Sequence, residues 1–191
     1  EAKVNRTSRE KPSGKPQSDL LPKPGKITAK WIWGPNPKTK KIKLRKMIKL
    51  DSKPEFASFL ATCDNGFSLW INGKNVTSSK DWTKPVYQKT AYFFKKGENL
   101  IEVDAEMYGG ASGFVAQFII GKGKTLVETD KSWEVAKGKE WNPATEVHPY
   151  GKGPWGRVLD QAKESKAGTT PGAGPPIRAA LVKNDFLMRS L

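Results

Sequence analysis

The run Phe67-Ser-Leu-Trp-Ile-Asn-Gly-Lys74 constrains the chain more than any other. In extended backbone it puts Phe67, Leu69 and Ile71 on one side and Ser68 and Trp70 on the other, because successive side chains of a strand point to opposite faces. It ends in Asn72-Gly73, a pair that tolerates positive φ at both positions and so suits the tightest antiparallel turn. A helix would scatter those three apolar residues around its axis. The sequence here predicts a half-buried strand turning back through a hairpin into Asn75-Val-Thr77.

The same alphabet recurs along the middle of the chain. In residues 41–50, Ile42 and Leu44, then Ile48 and Leu50, alternate with cations; the adjacent Arg45-Lys46 reads as a change of phase and predicts a β-bulge. Residues 56–62 form a strand with Phe59 and Ala61 in step. Asp64-Asn65-Gly66 follows as a turn. Residues 91–94 read as a strand and 95–99 as a turn. Leu100, Glu102, Asp104 and Glu106 then alternate with Ile101, Val103 and Ala105. A glycine-rich turn at 109–113 precedes the apolar strand 114–120, and short strands at 125–128 and 133–135 close the series. At least seven strands separated by turn signals, with no helical period among them, predict an all-β sandwich.

Composition sets its limits. The seven Trp and seven of the eight Phe lie within residues 30–156, which are expected to be the folded domain. Residues 1–29 and 157–176 are rich in Lys, Pro, Gly and Ser and read as linkers, since they offer too little apolar surface to offset ordering entropy. Residues 177–191 carry apolar side chains at roughly helical spacing and are expected to form a short helix opening a further region. The formal net charge is +15, of which +12 falls on residues 1–53. A near-neutral body with a basic arm follows, and such an arm attracts polyanions. No stretch reaches the roughly 18 apolar residues that span a bilayer. Glu1-Ala-Lys-Val lacks an apolar export core, so any export signal is expected to belong to a longer precursor. Cys63, the single cysteine, is in step with Phe59 and Ala61 and reads as a core thiol.

Three motifs together resemble a known fold. Ala61-Thr-Cys-Asp-Asn-Gly-Phe-Ser-Leu-Trp-Ile-Asn-Gly-Lys74 resembles the central hairpin of galactose-binding-like jelly-roll domains, such as the accessory domains of bacterial α-L-rhamnosidases. Lys96-Gly-Glu-Asn-Leu-Ile-Glu-Val103 with residues 114–120 looks like the next two strands, and Thr129-Asp-Lys-Ser-Trp133 is similar to the Thr-Asp-x-x-Trp near the end of that fold. The resemblance implies a galactose-binding-like jelly-roll β-sandwich over residues 30–156. Separately, residues 177–191 look like a segment of large exported bacterial proteins of the planctomycete cytochrome type. That second resemblance implies an exported, periplasmic or extracellular bacterial setting, although the chain has no Cys-x-x-Cys-His to carry haem.

Sugar recognition by a sandwich wants an aromatic plane under the C–H face of a pyranose and polar groups on its hydroxyls. Trp31, Trp33, Trp133 and Trp155 are expected to be structural. Trp70, pointing away from Phe67 and Leu69, is either a platform or lies beneath a loop. Trp82 and Trp141 fall in irregular segments, where contacts concentrate, and Tyr108 borders the glycine turn. The candidate carbohydrate-binding set is Trp70, Trp82, Tyr108, Trp141 and Asn65. The resemblance also raises Asp64 as a calcium ligand, although the residues themselves favour an ordinary turn at Asp64-Asn65 and calcium wants six to eight oxygens. No other cofactor is expected.

Nothing points to catalysis. Glu102, Asp104 and Glu106 read as a solvated strand face, His148 is the only histidine, and the glycines at 109–113 are a turn rather than a phosphate cradle. The expectation is a non-enzymatic carbohydrate-binding module. The cations Lys41, Lys43 and Arg45 would favour an acidic or sulfated polysaccharide. The alternative is a structural sandwich whose partners are neighbouring domains of its parent protein. Nucleic acid ranks below both, because the positive charge lacks interleaved stacking residues.

Overall fold

The computed structural model describes residues 26–121 and 125–162. Two six-stranded sheets pack face to face. In chain order the strands are β1 (Lys30–Trp33), β2 (Lys41–Leu50), β3 (Ala57–Asp64), β4 (Gly66–Ile71), β5 (Lys74–Ser79), β6 (Val86–Lys89), β7 (Gly97–Glu106), β8 (Gly113–Ile120), β9 (Thr125–Glu128), β10 (Glu134–Lys137), β11 (Glu140–Pro143) and β12 (Thr145–Pro149). The first sheet runs β12-β1-β8-β3-β6 with β9 also on β8; the second runs β11-β10-β2-β7-β4-β5. The β-sandwich expected from the alternation is what forms. The segment 177–191, read as a helix, lies outside the described residues, as does most of the basic arm.

The core between the sheets is built from the period-two residues. Phe59, Phe114 and Phe118 face inward from the first sheet; Leu44, Leu69, Ile71, Ile101 and Val103 face them from the second. Phe67 and Phe114 meet across the gap with ring centroids 5.5 Å apart, and Trp133 touches Phe114 at 6.0 Å. Cys63 is buried here, and desolvation pushes its thiol pKa up. The Thr129-Asp-Lys-Ser-Trp133 motif is structural. Thr129 Oγ1 donates to Lys30 O and accepts from Ala116 N, which ties β1 to β8, while Trp133 Nε1 donates to Glu128 O.

Several local expectations need correction. No bulge interrupts β2: it pairs with β7 in unbroken register from Lys41↔Glu106 to Leu50↔Gly97. Ile42, Leu44, Ile48 and Leu50 share one parity throughout, and Lys46 occupies an inward-parity position, its ammonium held by Ser132 O and Oγ. The register shifts fall instead at Trp31/Ile32 and Leu69/Trp70. Residues 91–94 are not a strand. Ala91–Phe93 forms a 3-10 turn, because Asn72 Nδ2 captures Phe93 O. Trp141 is not in an irregular segment but on β11.

Packing also extends past the limits read as 30 and 156. Ile27 and Ala29 are buried, and the stretch after β12 lies across the outer face of the first sheet with Trp155, Val158 and Leu159 buried. This strap stacks Trp155 on Trp31 at 4.1 Å. It is locked by Asp160, which accepts from Tyr150 Oη at 2.8 Å and from Arg157 Nε at 2.6 Å.

Candidate functional site

The outer face of the second sheet carries a charge ladder. Lys41 Nζ lies 3.0 Å from Glu106 Oε1, Lys43 Nζ 3.1 Å from Asp104 Oδ1, and Arg45 Nε 2.6 Å from Glu134 Oε2. Antiparallel pairing of β2 with β7 dictates the first two pairs, since it sets the basic alternation of one strand against the acidic alternation of the other, and β10 on the other side of β2 brings Glu134 opposite Arg45. Arg45 also stacks over Trp141, 4.1 Å from the ring centroid. Trp70, half-buried, shares the row of Arg45 through Glu102. Trp70 and Trp141 therefore lie on the same face, but β7, β2 and β10 separate them by about 19 Å of sheet. They cannot stack on one sugar ring.

Trp82 lies elsewhere. It sits on the turn after β5, its carbonyl accepts from Thr62 Oγ1 at 2.8 Å, and its ring leans on the outer apolar layer of the first sheet. Asp64 faces away from solvent and accepts from Trp155 Nε1 at 2.8 Å. Burial raises its carboxyl pKa, and the Trp155 bond opposes the shift in part. Among the described residues no group of three His, Cys, Asp or Glu is placed to hold a metal ion, and Asp64 serves Trp155 instead.

Asn65 and Tyr108 are the two predicted residues that the fold brings together. Tyr108 N donates to Asn65 Oδ1 at 2.6 Å, and Asn65 N donates to Glu106 O at 2.8 Å. The neighbouring loops are stitched to the same end: Met107 N donates to Lys40 O and Ser112 Oγ to Pro37 O. Gly110, with φ of +81°, lets the chain turn straight after Tyr108. Tyr108 is 58% exposed. Its hydroxyl donates to Glu106 Oε2 at 3.0 Å while Lys41 holds the other carboxylate oxygen. Those two bonds lower the Glu106 pKa, and the Glu106 carboxylate raises that of Tyr108. Lys80 adds positive potential beside Glu106.

An exposed ring edged by a carboxylate, a hydroxyl and ammonium groups can hold a polyhydroxylated ligand, with the ring taking its C–H face. Glu106 and Lys41 were missed as members of this cluster. Their strands showed alternating charge, but only the register reveals that they meet beside Tyr108. A shallow depression of about 150 Å³ lined by Lys30, Glu146, Val147, His148 and Pro149 is smaller than the roughly 300 Å³ at which small-molecule clefts begin.

No protein family matches the chain, and no curated protein does. Solved structures do match. The α-L-rhamnosidase of Streptomyces avermitilis, complexed with L-rhamnose, superposes with a TM-score of 0.63 at 20% identity over 68% of this chain and 15% of that one. A lectin from Pleurotus ostreatus in complex with GalNAc gives 0.62 at 22% identity, covering 69% of this chain and 45% of the lectin. A Bacillus rhamnosidase gives 0.57 at 20%, over 66% and 19%. The fold is a galactose-binding-like β-sandwich. At these identities the likeness shows the fold alone, and this chain spans less than half the length of each of these three neighbours. Among the described residues no helix is long and apolar enough to cross a membrane.

Proposed function

We propose that the sandwich is a non-catalytic carbohydrate-binding module that receives its glycan at the Asn65/Tyr108 end. The observation that carries this reading is Tyr108 itself: a largely exposed ring fixed through its backbone by Asn65 and through its hydroxyl by Glu106. A fixed ring loses little freedom on stacking, which is the main cost of using a flexible aromatic. The shared fold supports it, since one neighbour is a lectin with bound GalNAc and two are rhamnosidases in which such a sandwich is a minor part of the chain.

An acidic or sulfated polysaccharide is the ligand class we favour, though not through the cations first read for it. Lys41, Lys43 and Arg45 are matched to Glu106, Asp104 and Glu134, so their attraction for an outside anion is largely spent. The excess that remains near Tyr108 comes from Lys80 and the exposed Lys40. The proposed setting is a larger exported bacterial protein; the cytochrome-type resemblance of residues 177–191 is what supports it.

The test is affinity electrophoresis of the wild type and Tyr108→Ala in gels containing neutral galactan, polygalacturonate or heparin. Retardation by a polyanionic gel that weakens about tenfold on removing the ring supports the proposal. Equal mobility of wild type and variant in every gel sinks it. A structural module docking on neighbouring domains is the second reading, and the strap favours it: the chain already uses the outer apolar face of the first sheet as a packing surface. That reading is preferred if the wild type migrates freely in all gels.

A further inference from the structure

At the end of the sandwich opposite Tyr108, two turns converge on a second aromatic. The turn after β4 leads into Lys74, and the 3-10 turn before β7 supplies Tyr92. Lys74 Nζ lies 4.8 Å from the centroid of the Tyr92 ring, and Phe93 meets that ring edge-on at 5.5 Å. Tyr92 is 69% exposed, more than Tyr108, Leu126 or Met47.

The backbone beneath it is firmly held. Asn72, in the left-handed region with φ of +52°, donates through Nδ2 to Phe93 O at 2.9 Å and to Asn99 Oδ1 at 2.8 Å. Asn99 is fully buried; it donates to Lys95 O and Gly97 O and accepts from Lys95 N. Phe94 is the residue of this segment that enters the core. The Tyr92 ring, turned to solvent, contributes little burial to the fold, while the backbone beside it is held by Asn72. Lys95 and Lys96 follow directly and are exposed, while Glu98 faces Lys49 across the β2–β7 ladder. One exposed aromatic ring thus stands beside the Lys74 ammonium, with two further exposed lysines three and four residues along the chain.

We propose that Tyr92 and Lys74, assisted by Lys95 and Lys96, form a second glycan site for a pyranose bearing a carboxylate or a sulfate ester. The ring takes the C–H face and the ammonium groups take the anion. The assignment rests on reading the module as a glycan binder, but it uses no residue of the Asn65/Tyr108 end. The ten residues of β7 lie between the two ends, a separation of about 30 Å. The module would therefore grip two chains, or two distant points of one, and gain avidity.

The experiment is isothermal titration of the full 191-residue chain with trigalacturonate and, separately, a heparin-derived hexasaccharide. Two equivalents are expected for the wild type. Tyr92→Ala and Lys74→Gln should each weaken one of them about tenfold, and Tyr92→Phe should keep both. Unchanged stoichiometry and affinity in Tyr92→Ala and Lys74→Gln would overturn the proposal; if Tyr92→Ala loses its circular dichroism signature, Lys74→Gln alone decides. Binding lost in Tyr92→Ala but untouched in Tyr108→Ala would defeat the Asn65/Tyr108 reading and leave this one standing. Single-stranded DNA held as tightly as the oligosaccharides, and released by the same substitutions, would overturn the assignment to glycans.

Discussion

The two outward faces of the sandwich solve the same problem differently. Both sheets spend their inward parity on the shared core. On the second sheet the outward parity of β2 and β7 is charged apart from the Met47–Leu100 pair, and it meets solvent largely as ion pairs. On the first sheet the outward parity of β3 and β8 holds Ser58, Leu60, Thr62, Val115, Gln117 and Ile119, and every residue of both strands is buried. A strap from beyond β12 and Ile27 from before β1 cover that face. One sheet is finished by electrostatics within its own strands, and the other needs a third layer. The covered face should hold most of the stability, because removing apolar area from water is worth far more than pairing exposed charges.

Substitutions can break or sharpen that contrast. Trp155→Ala removes the ring stacked on Trp31 and the donor to Asp64, and should lower the unfolding free energy by about 3–5 kcal/mol in urea denaturation. A loss below about 1 kcal/mol would mean that the strap is ornamental. Gly113→Ala comes next. A Cβ at Gly113 would stand 2.9 Å from both Trp31 and Trp155 ring atoms, so overpacking should cost about 1–3 kcal/mol in the same assay.

Asp64→Asn probes the seam where the strap meets the sheet. Burial raises the Asp64 carboxyl above its ordinary range, so the folded state binds that proton more tightly than the unfolded one. This group therefore favours the fold while protonated, and that contribution is lost as pH rises through the raised value. Asparagine keeps an acceptor for Trp155 Nε1 and removes the titration. Its Tm should exceed that of the wild type at about pH 7, with the gain shrinking toward pH 3. Smallest of all should be Lys43→Gln on the open face, under about 1 kcal/mol and fading further in high salt. A larger loss there would contradict the division of labour between the faces.

How much of this was legible in the chain depended on where each residue's partner lay. Phe67, Leu69 and Ile71 with Asn72-Gly73 declared their hairpin because the whole signal is local. The sandwich followed from counting such segments. Arg45-Lys46 misled because a cation at inward parity looks like a broken pattern until Ser132, far along the chain, is seen to receive it. The 3-10 turn at Ala91–Phe93 was hidden in an apolar run, since the competing partners of its backbone are Asn72 and Thr90. The β11 strand, Glu-Trp-Asn-Pro, shows no alternation and is defined by its ladder with β10. At the candidate site, Tyr108 and Asn65 were readable as an aromatic and an amide near turns. That they touch, and that Glu106 and Lys41 join them, required the register of β2 against β7. Trp155 was readable as structural, but Val158 and Leu159 fell in the stretch read as linker because two apolar residues there carry no periodic signal.

One pairing bears on mechanics. The opening strand and the last one lie side by side with Lys30 opposite Pro149, so the strands of the sandwich begin and end at one corner, from which the strap runs on. A host chain can accommodate such a body within a loop, since the two flanks need not be drawn apart. The same arrangement sets how tension acts: a pull through the flanks would first lift the strap, then open the ladder rung by rung like a zip. Force spectroscopy should accordingly find low, stepwise resistance rather than the single high peak of strands loaded in shear.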